Sequence, residues 1–286
     1  MVELRQKYKL DYLLKALKIP KRTYYYQIKN FDKKKDKDKE ITKLIKEIFK
    51  KHRGKYGYLR ITMDLNNKGY KINKKKVQRI MQENSLFAKQ KKRKFHSFQG
   101  VVGKICDNIL NREFKSTMPY QKLGTDVTQF SIKGEKIYFA PLIDFFTREI
   151  LGYNISRNPN IKQQRDMMKD AYKKHGEKLN YSLIHSDQGT VYQTLAYRKL
   201  LEEIHATQSM SRRGNCIDNS PTENLFGRVK VEMFYDFEFE FENAKQLIAE
   251  LKKYIKYYNE ERIVLRLKKS PVSFRKEFKY LPMVLV

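Results

Sequence analysis

The first ninety positions carry apolar residues at spacings of three and four. Tyr8, Tyr12, Leu13, Ala16 and Leu17 fall on one helical period that Pro20 ends, and LKIPKRTYYYQIK then supplies a turn and a second short helix. KNFDKKKDKDKE (residues 29–40) has almost nothing to bury and reads as a charged tether. Ile41, Leu44, Ile45 and Ile48 restart the helical period. HRGKYGYLRI follows, where Gly54 and Gly57 permit a sharp turn. Leu59 to Leu65 predicts another helix, NNKGY a turn, and INKKKVQRIMQENS a last helix. That helix turns Val77, Ile80 and Met81 inward and Lys74, Lys75, Lys76, Gln78 and Arg79 outward. Short helices ending in a basic one predict a helix-turn-helix-like module, although a small bundle with a solvated lysine face has the same period.

The pattern changes near residue 120. LGTDVTQFSI, KIYFAPLIDFF and REILGYNIS are apolar, partly β-branched blocks separated by KGE and by Thr147–Arg148, and they predict three antiparallel strands. Ile161 to Lys174 is helical in pattern, YSLIHSDQG is a strand with a polar end, Thr194 to Ile204 is a helix, HATQSM a short strand and Ser220 to Met233 a helix. Hairpin strands followed by alternating helix and strand predict a mixed sheet covered by helices. ENAKQLIAELKKYIKYYNEER places Ala244, Leu247, Leu251, Tyr254 and Tyr258 on one face, so it is a docked helix, and Pro271 breaks the chain after it. YDFEFEFEN, with acids at 236, 238, 240 and 242, reads as an exposed strand or loop.

Composition narrows the function classes. The chain has 286 residues and no apolar run long enough to span a bilayer, and MVELRQKYKL lacks the apolar centre of a secretion signal. Cys106 and Cys216 stand in unrelated contexts and suggest neither a disulfide framework nor a zinc cluster. The formal charge is +30, from 62 Lys and Arg against 32 Asp and Glu. Residues 1–100 hold 31 basic and 9 acidic side chains, a net +22 that leaves +8 for the rest. Such a surface favours a polyanion, because neutralised phosphates release condensed counterions.

Candidate chemistry lies in the carboxylates. Phosphodiester cleavage needs an activated oxygen nucleophile, a stabilised leaving oxygen and neutralised phosphate charge, which two Mg²⁺ ions roughly 3.5–4 Å apart supply when hard oxygen ligands hold them. Five scattered histidines, at 52, 96, 175, 185 and 205, argue against a zinc hydrolase. Asp126 lies inside the first predicted strand, where an unpaired carboxylate is costly. Either a metal or a core Arg or Lys is its partner. Asp187 ends the strand YSLIHSD; it is a metal ligand at a sheet crevice or a cap for the turn Asp187–Gln188–Gly189. Glu223 is a third ligand or an ordinary first-turn glutamate favoured by the helix dipole. Asp218, its rival, reads as part of the turn and cap before that helix. Lys230 lies two turns past Glu223 on the same face, suited to hold a phosphate or to be one more surface lysine.

These residues carry a resemblance. GTDVTQF around Asp126, HSDQGTVY around Asp187 and SMSRRGNCIDNSPTENLFGRVKVE around Glu223 resemble the catalytic, second-reading-frame transposase protein of a widespread bacterial insertion-sequence family, whose core is similar to retroviral integrases. The 35 residues between Asp187 and Glu223, and Lys230 after the glutamate, match its pattern. KIPKRTYYY (residues 18–26), HRGKYGYLRI through ENSL, and YNEERIVLRLKKSPVSF extend the likeness over almost the whole chain. Leu123 stands where the family often has Trp, Leu59 where a second arginine is usual before Arg60, and Val264 where a histidine is frequent.

The resemblance implies an α/β fold, a ribonuclease-H-like mixed five-stranded sheet flanked by helices and preceded by a basic helix-turn-helix-like region. The expected organisation is a helical segment and tether at 1–40, the helix-turn-helix-like region at 41–88, a basic connector at 89–118, the catalytic core at 119–235, and a C-terminal helix and tail at 236–286. It further implies metal-dependent strand cleavage and strand transfer at element ends by an Asp126–Asp187–Glu223 triad, assisted by Lys230, with two Mg²⁺ or Mn²⁺ ions. The alternatives are a nuclease of the same fold that hydrolyses without joining, and a non-catalytic DNA-binding regulator. Expected DNA contacts are Arg60, Lys74, Lys75, Arg79, Lys91, Lys92, Arg93, Lys94, Arg213, Arg228 and Lys230. Expected partners are double-stranded DNA, an upstream-frame product fused by frameshifting, and further copies of the chain on DNA. The setting is the bacterial cytoplasm, with nucleoid association when DNA is bound and no membrane contact.

Overall fold

A computed structural model of the chain describes residues 4–88, 104–212, 215–235 and 237–278, leaving the side chains of 30–37, 216 and 238 undescribed. The chain divides into two compact units, Met1–Lys89 and Gln90–Val286.

The first unit is helical: α1 (Leu10–Ala16), α2 (Lys21–Lys51), α3 (Tyr58–Asn67) and α4 (Lys74–Glu83). Ile45 and Ile48 from α2, Ile61 and Leu65 from α3, and Val77, Ile80 and Met81 from α4 are buried, as their spacing predicts. The Asn73 side chain caps α4 by accepting from Lys75 N at 2.9 Å. The tether expected at 29–40 is instead the middle of α2, which runs unbroken for 31 residues. No Gly or Pro interrupts Lys21–Lys51, and lysine is a good helix former, so the lack of an apolar stripe did not prevent a helix. Asp38, in that stretch, pairs with Lys76 at 2.6 Å and with Arg79, tying α2 to α4.

The second unit is built on one mixed sheet of β1 (Lys122–Thr125), β2 (Thr128–Ile132), β3 (Glu135–Asp144), β4 (Ile150–Ser156), β5 (Leu183–Ser186) and β6 (Thr207–Met210). β3 takes β4 along one edge and both β1 and β2, antiparallel, along the other; β5 lies parallel to β1 and β6 parallel to β5. Residue numbers in the β1–β3 and β2–β3 pairs both sum to 267, as in Leu123↔Asp144 and Thr128↔Phe139. β1 and β2 are therefore one strand in register, interrupted at Asp126 and Val127, so five strand positions hold six segments. Phe145 N donates to Lys122 O. Counting on by twos makes Asp126 and Pro141 a hydrogen-bonded pair, and Pro141 has no N–H to give. The ladder fails where the aspartate sits.

Helices cover both faces. α5 (Ile161–His175) and α6 (Leu195–Glu202) bury Met167, Met168, Ala171, Tyr197, Leu200 and Leu201 against Leu123, Leu142, Leu151, Ile184 and Met210. α7 (Ser220–Val229) and α8 (Ala244–Glu260) bury Leu225, Phe226, Val229, Leu247 and Leu251 against Phe130, Phe139, Ile143, Phe145 and Ile150 on the other. Two glycines allow close approach: a Cβ on Gly152 would stand 2.6 Å from the Ala171 backbone N, and one on Gly124 would stand 2.5 Å from the Phe145 ring and 2.7 Å from Thr222 Oγ1. Gly124 thus lets α7 rest directly on β1. α9 (Pro271–Glu277) ends the described chain.

The segment after α7 is fastened by a buried ion pair. Arg262, 1% exposed, donates Nε and Nη2 to both Glu232 oxygens at 2.8 and 2.6 Å, and Tyr254 OH donates to Glu232 at 3.0 Å. Removing one partner of such a pair leaves an uncompensated buried charge, whereas removing both is close to neutral. Arg262→Met is expected to cost about 3–5 kcal/mol in urea unfolding, and Arg262→Met with Glu232→Leu to recover most of it. A double variant as unstable as the single would show that the pair contributes by shape alone.

Candidate active site

Asp126 follows the last residue of β1, and Asp187 follows the last residue of β5. The parallel register pairs Lys122 with Leu183 and Gly124 with His185, an offset of 61; two residues further the same offset sets Asp126 beside Asp187. Glu223 is in the first turn of α7, one residue past Thr222, whose Oγ1 meets β1 at Gly124. Asp126 lies within electrostatic reach of both Asp187 and Glu223. Burial pushes the Asp126 carboxyl well above the usual range, and the charges of Asp187 and Glu223 push it further; hydrogen bonds from Val127 N and Asn219 only partly oppose this. Burial raises Asp187 too, against a bond from Gly189 N.

Among the described residues, neither Asp126 nor Asp187 makes an ion pair with Lys, Arg or His. Asp126 is instead held by two neutral donors, Val127 N at 2.6 Å and Asn219 Nδ2 at 3.0 Å. Asp187 does cap its turn, accepting from Gly189 N at 2.8 Å, and Glu223 does occupy a first helical turn. The local roles read from sequence coexist with convergence. Lys230 stands in the same place: its Nζ is 5.8 Å from the centroid of the Phe130 ring, burial lowers its pKa, and the Asp126 charge partly restores it.

Asp218 lies in the turn Cys216–Asn219 before α7, with Asn219 at the N-cap position, as expected, but its side chain does more than close that turn. Its side chain is buried and accepts from Asn108 Nδ2, Arg112 Nε, and the N, Nε and Nη2 of Arg212, which hold it far below the usual carboxylate range, Arg212 foremost. That clamp fixes the loop whose next residue, Asn219, reaches Asp126. Asn219 escaped the sequence reading; its signal was an amide four residues before Glu223, on the same side of the forming helix. Tyr192 also escaped it. The ring is buried, and burial together with the Asp126 and Asp187 charges drives its phenol well above the normal value.

The donor set suits a hard divalent cation: two half-buried carboxylates with no cationic partner among the described residues and a third near Asp126, all oxygen. As placed, no group of three His, Cys, Asp or Glu side chains among the described residues forms a ready metal cluster. The side chains fit such an ion in chemistry and neighbourhood, not as a preformed cage.

Other expected contacts lie elsewhere. Lys74 and Lys75 are exposed at the start of α4; Arg79 is engaged by Asp38 and Glu83; Arg60 lies 5.6 Å from the Tyr56 ring centroid. Arg228 is exposed on α7. Lys91, Lys92, Arg93, Lys94 and Arg213 fall outside the described residues. No helix among the described residues is long and apolar enough to cross a membrane.

Comparison with known proteins agrees with this layout. An HTH-like domain family matches residues 35–94, and two integrase core domain families match residues 116–216 and 223–278. The chain is 42% identical over 283 residues to the InsK protein of insertion sequence element IS150 from Escherichia coli (strain K12), covering 99% of this chain and 98% of that one. It is 34% identical over 239 residues to the transposase for insertion sequence element IS904 from Lactococcus lactis subsp. lactis (strain IL1403), covering 82% and 93%. A chain of the simian T-cell lymphotropic virus intasome superposes with a TM-score of 0.52 at 13% identity, covering 79% of this chain and 73% of that one, which is a likeness of fold.

Electrostatic crowding has a measurable consequence. In chelated protein, folded Asp126 keeps its proton to higher pH than an unfolded aspartate, whose value is near 3.8. Stability at this position is thus present below that value and lost as pH rises through the raised folded value. Asp126→Asn is expected to raise the melting temperature at neutral pH, with the advantage vanishing near pH 4. Equal melting temperatures at neutral pH would show that the carboxylates are not crowded.

Proposed function

The chain belongs to the insertion-sequence transposases that carry an integrase core domain, and from that premise we propose that it cuts and joins DNA at the ends of such an element through Asp126, Asp187 and Glu223. The observation that carries the reading is the meeting of two neighbouring parallel strand ends and one helix start, each bearing a carboxylate, in a chain matched along nearly its whole length by a relative.

Asp126, Asp187 and Glu223 are the residues that would hold Mg²⁺ or Mn²⁺, two ions in the usual arrangement for this chemistry. When bound, the ions neutralise phosphate charge and activate the attacking oxygen, water for cleavage and a 3′-hydroxyl for joining. The protein supplies the rest. Asn219 holds Asp126 by one oxygen and so orients the other. Lys230, beside Asp126 and partly buried, is placed to take a phosphate oxygen. Asp218 with its two arginines keeps Asn219 in position. As the family resemblance implies, joining proceeds from DNA to DNA without a covalent protein intermediate.

The helical unit grips duplex DNA by phosphate contacts that position rather than specify, with exposed Lys74 and Lys75 foremost and Arg60 and Arg79 after them; Lys91, Lys92, Arg93 and Lys94 of the connector add further phosphate contacts. Arg213 and Arg228 are DNA contacts contributed by the second unit. The active species is an oligomer on DNA, made with an upstream-frame product as a fused protein, in the cytoplasm and on the nucleoid.

The test uses oligonucleotides that end in the element's terminal repeats, in Mg²⁺ or Mn²⁺, with the fused protein where an upstream frame exists. Asp126→Asn, Asp187→Asn and Glu223→Gln are each expected to reduce cleavage and joining by more than the roughly 10–100-fold typical of losing a partner behind a metal ligand, and Asn219→Ala by about that amount. Hydrolysis with no joined product would assign a nuclease of the same fold. Full activity of all three carboxylate variants would remove the site.

A further inference from the structure

A second positive site lies on the opposite flank of the helix that carries Glu223. Thr222, Leu225, Phe226 and Val229 form the buried stripe of α7. At about 100° per residue, Glu223 and Lys230 fall on one side of that stripe and Arg228 on the other, five residues and roughly 7.5 Å along from Glu223. Asn224 and Arg228 are exposed on the outer face of α7, between the two flanks.

Arg228 has company. Arg266 Nη2 donates to the carbonyls of Phe145 and Phe146 at 3.2 and 2.9 Å, which sets its charge on the turn between β3 and β4. Arg148 stands in that same turn with φ 62° and is half-buried. Burial holds its guanidinium below the ordinary value, the charges of Arg266 and Arg228 add to the effect, and those of Tyr258 and Asp144 partly oppose it. The buried Tyr258 feels the charges of both Arg228 and Arg148, so the two share one neighbourhood. Among the described residues, neither Arg148 nor Arg228 makes an ion pair or a side-chain hydrogen bond. The nearest acids are taken: Asp144 gives its oxygens to the backbone N–H groups of Tyr120, Phe146 and Thr147, and Glu149 is paired with Arg275. Three guanidinium groups with no ion-paired carboxylate among the described residues are poorly placed unless an anion joins them, and the planar fork of arginine matches phosphate oxygens.

We propose that Arg148, Arg228 and Arg266 form a phosphate-binding site for duplex DNA on the flank of α7 opposite Glu223 and Lys230. A duplex lying across the outer face of α7 then meets protein charge on both sides of the reacting phosphate. The inference rests on the reading of the chain as an enzyme acting on DNA, in which Arg228 is already a DNA contact, and adds Arg148 and Arg266 to it as one phosphate site.

The test measures binding of the full chain to a fluorescent mixed-sequence duplex over a range of salt concentrations, for wild type and for Arg148→Gln with Arg228→Gln. Arg266 is retained because it also bonds the backbone. The double variant should bind more weakly, and the slope of log affinity against log salt should fall by about 0.9 for each phosphate no longer neutralised. Its melting temperature should not fall, since the removed charges repel each other. A folded double variant with wild-type affinity and slope overturns the proposal. If the double variant does not fold, Arg228→Gln alone decides, because that side chain is exposed; an unchanged slope there overturns it equally. Cleavage by wild type, run in parallel, separates the two readings. Wild-type cleavage with no slope change sinks the second site alone, and a slope change in a wild type that never cleaves sinks the enzyme reading alone.

Discussion

Everything in the core follows from keeping like charges together where water is scarce. Asp126 and Asp187 cannot move apart without breaking the parallel pairing of β1 and β5, and that pairing is buried on both faces by packed helices. Glu223 cannot retreat because α7 rests on β1 at a glycine, with Thr222 against the strand. Backbone hydrogen bonds and apolar packing therefore hold an arrangement that electrostatics opposes, and the raised affinity of Asp126 for a proton is the sign of that opposition. Divalent cations at this place would replace the proton as countercharge.

Local irregularity serves the same end. The long first strand breaks where Pro141 faces Asp126, freeing the aspartate from the ladder while β1 and β2 keep one register. Asn219 then holds the carboxylate with a neutral amide rather than a cation, which leaves its charge uncompensated. A lysine or arginine in that position would have stabilised the empty fold and spoiled the site for a metal. The cations are kept one step back: Arg112 and Arg212 direct their charge to Asp218, and Lys230 is near Asp126 without pairing to it.

Charge outside the site is handled differently in the two units. In the helical unit part of the basic surface is already engaged, as Lys76 and Arg79 are by Asp38. In the core, Arg148, Arg228 and Arg266 have no such carboxylate partners among the described residues, whereas Arg275 is paired with Glu149. The net charge alone pointed to nucleic acid; which charges are free to meet it depends on the pairing.

Much was legible in the chain of letters. The order and nearly the bounds of the strands and helices from residue 122 onward follow from apolar periodicity, because the sheet is half-buried strand by strand and the helices are amphipathic. Asp126 stood out because an acid in an apolar strand is costly and needs a reason, whereas Asp187 at a strand end and Glu223 at a helix start were singled out from ordinary turn and helix residues by the family resemblance. Residues 29–40 misled, since a solvated helix needs no apolar stripe, and periodicity detects only what is buried. Asn219, Tyr192, the Asp218 clamp and the Arg262–Glu232 pair were invisible for another reason. Asn219 acts on Asp126 at a separation of 93 positions, Asp218 on Arg112 at 106 as well as on nearby Arg212, and Glu232 on Arg262 at 30, and no local pattern encodes such partners. The sequence by itself determined which residues are apolar, acidic or basic and with what period, hence the elements and the candidates. Only the tertiary structure decided which acids meet and which are neutralised, because Coulomb energy and desolvation depend on distance and burial through space.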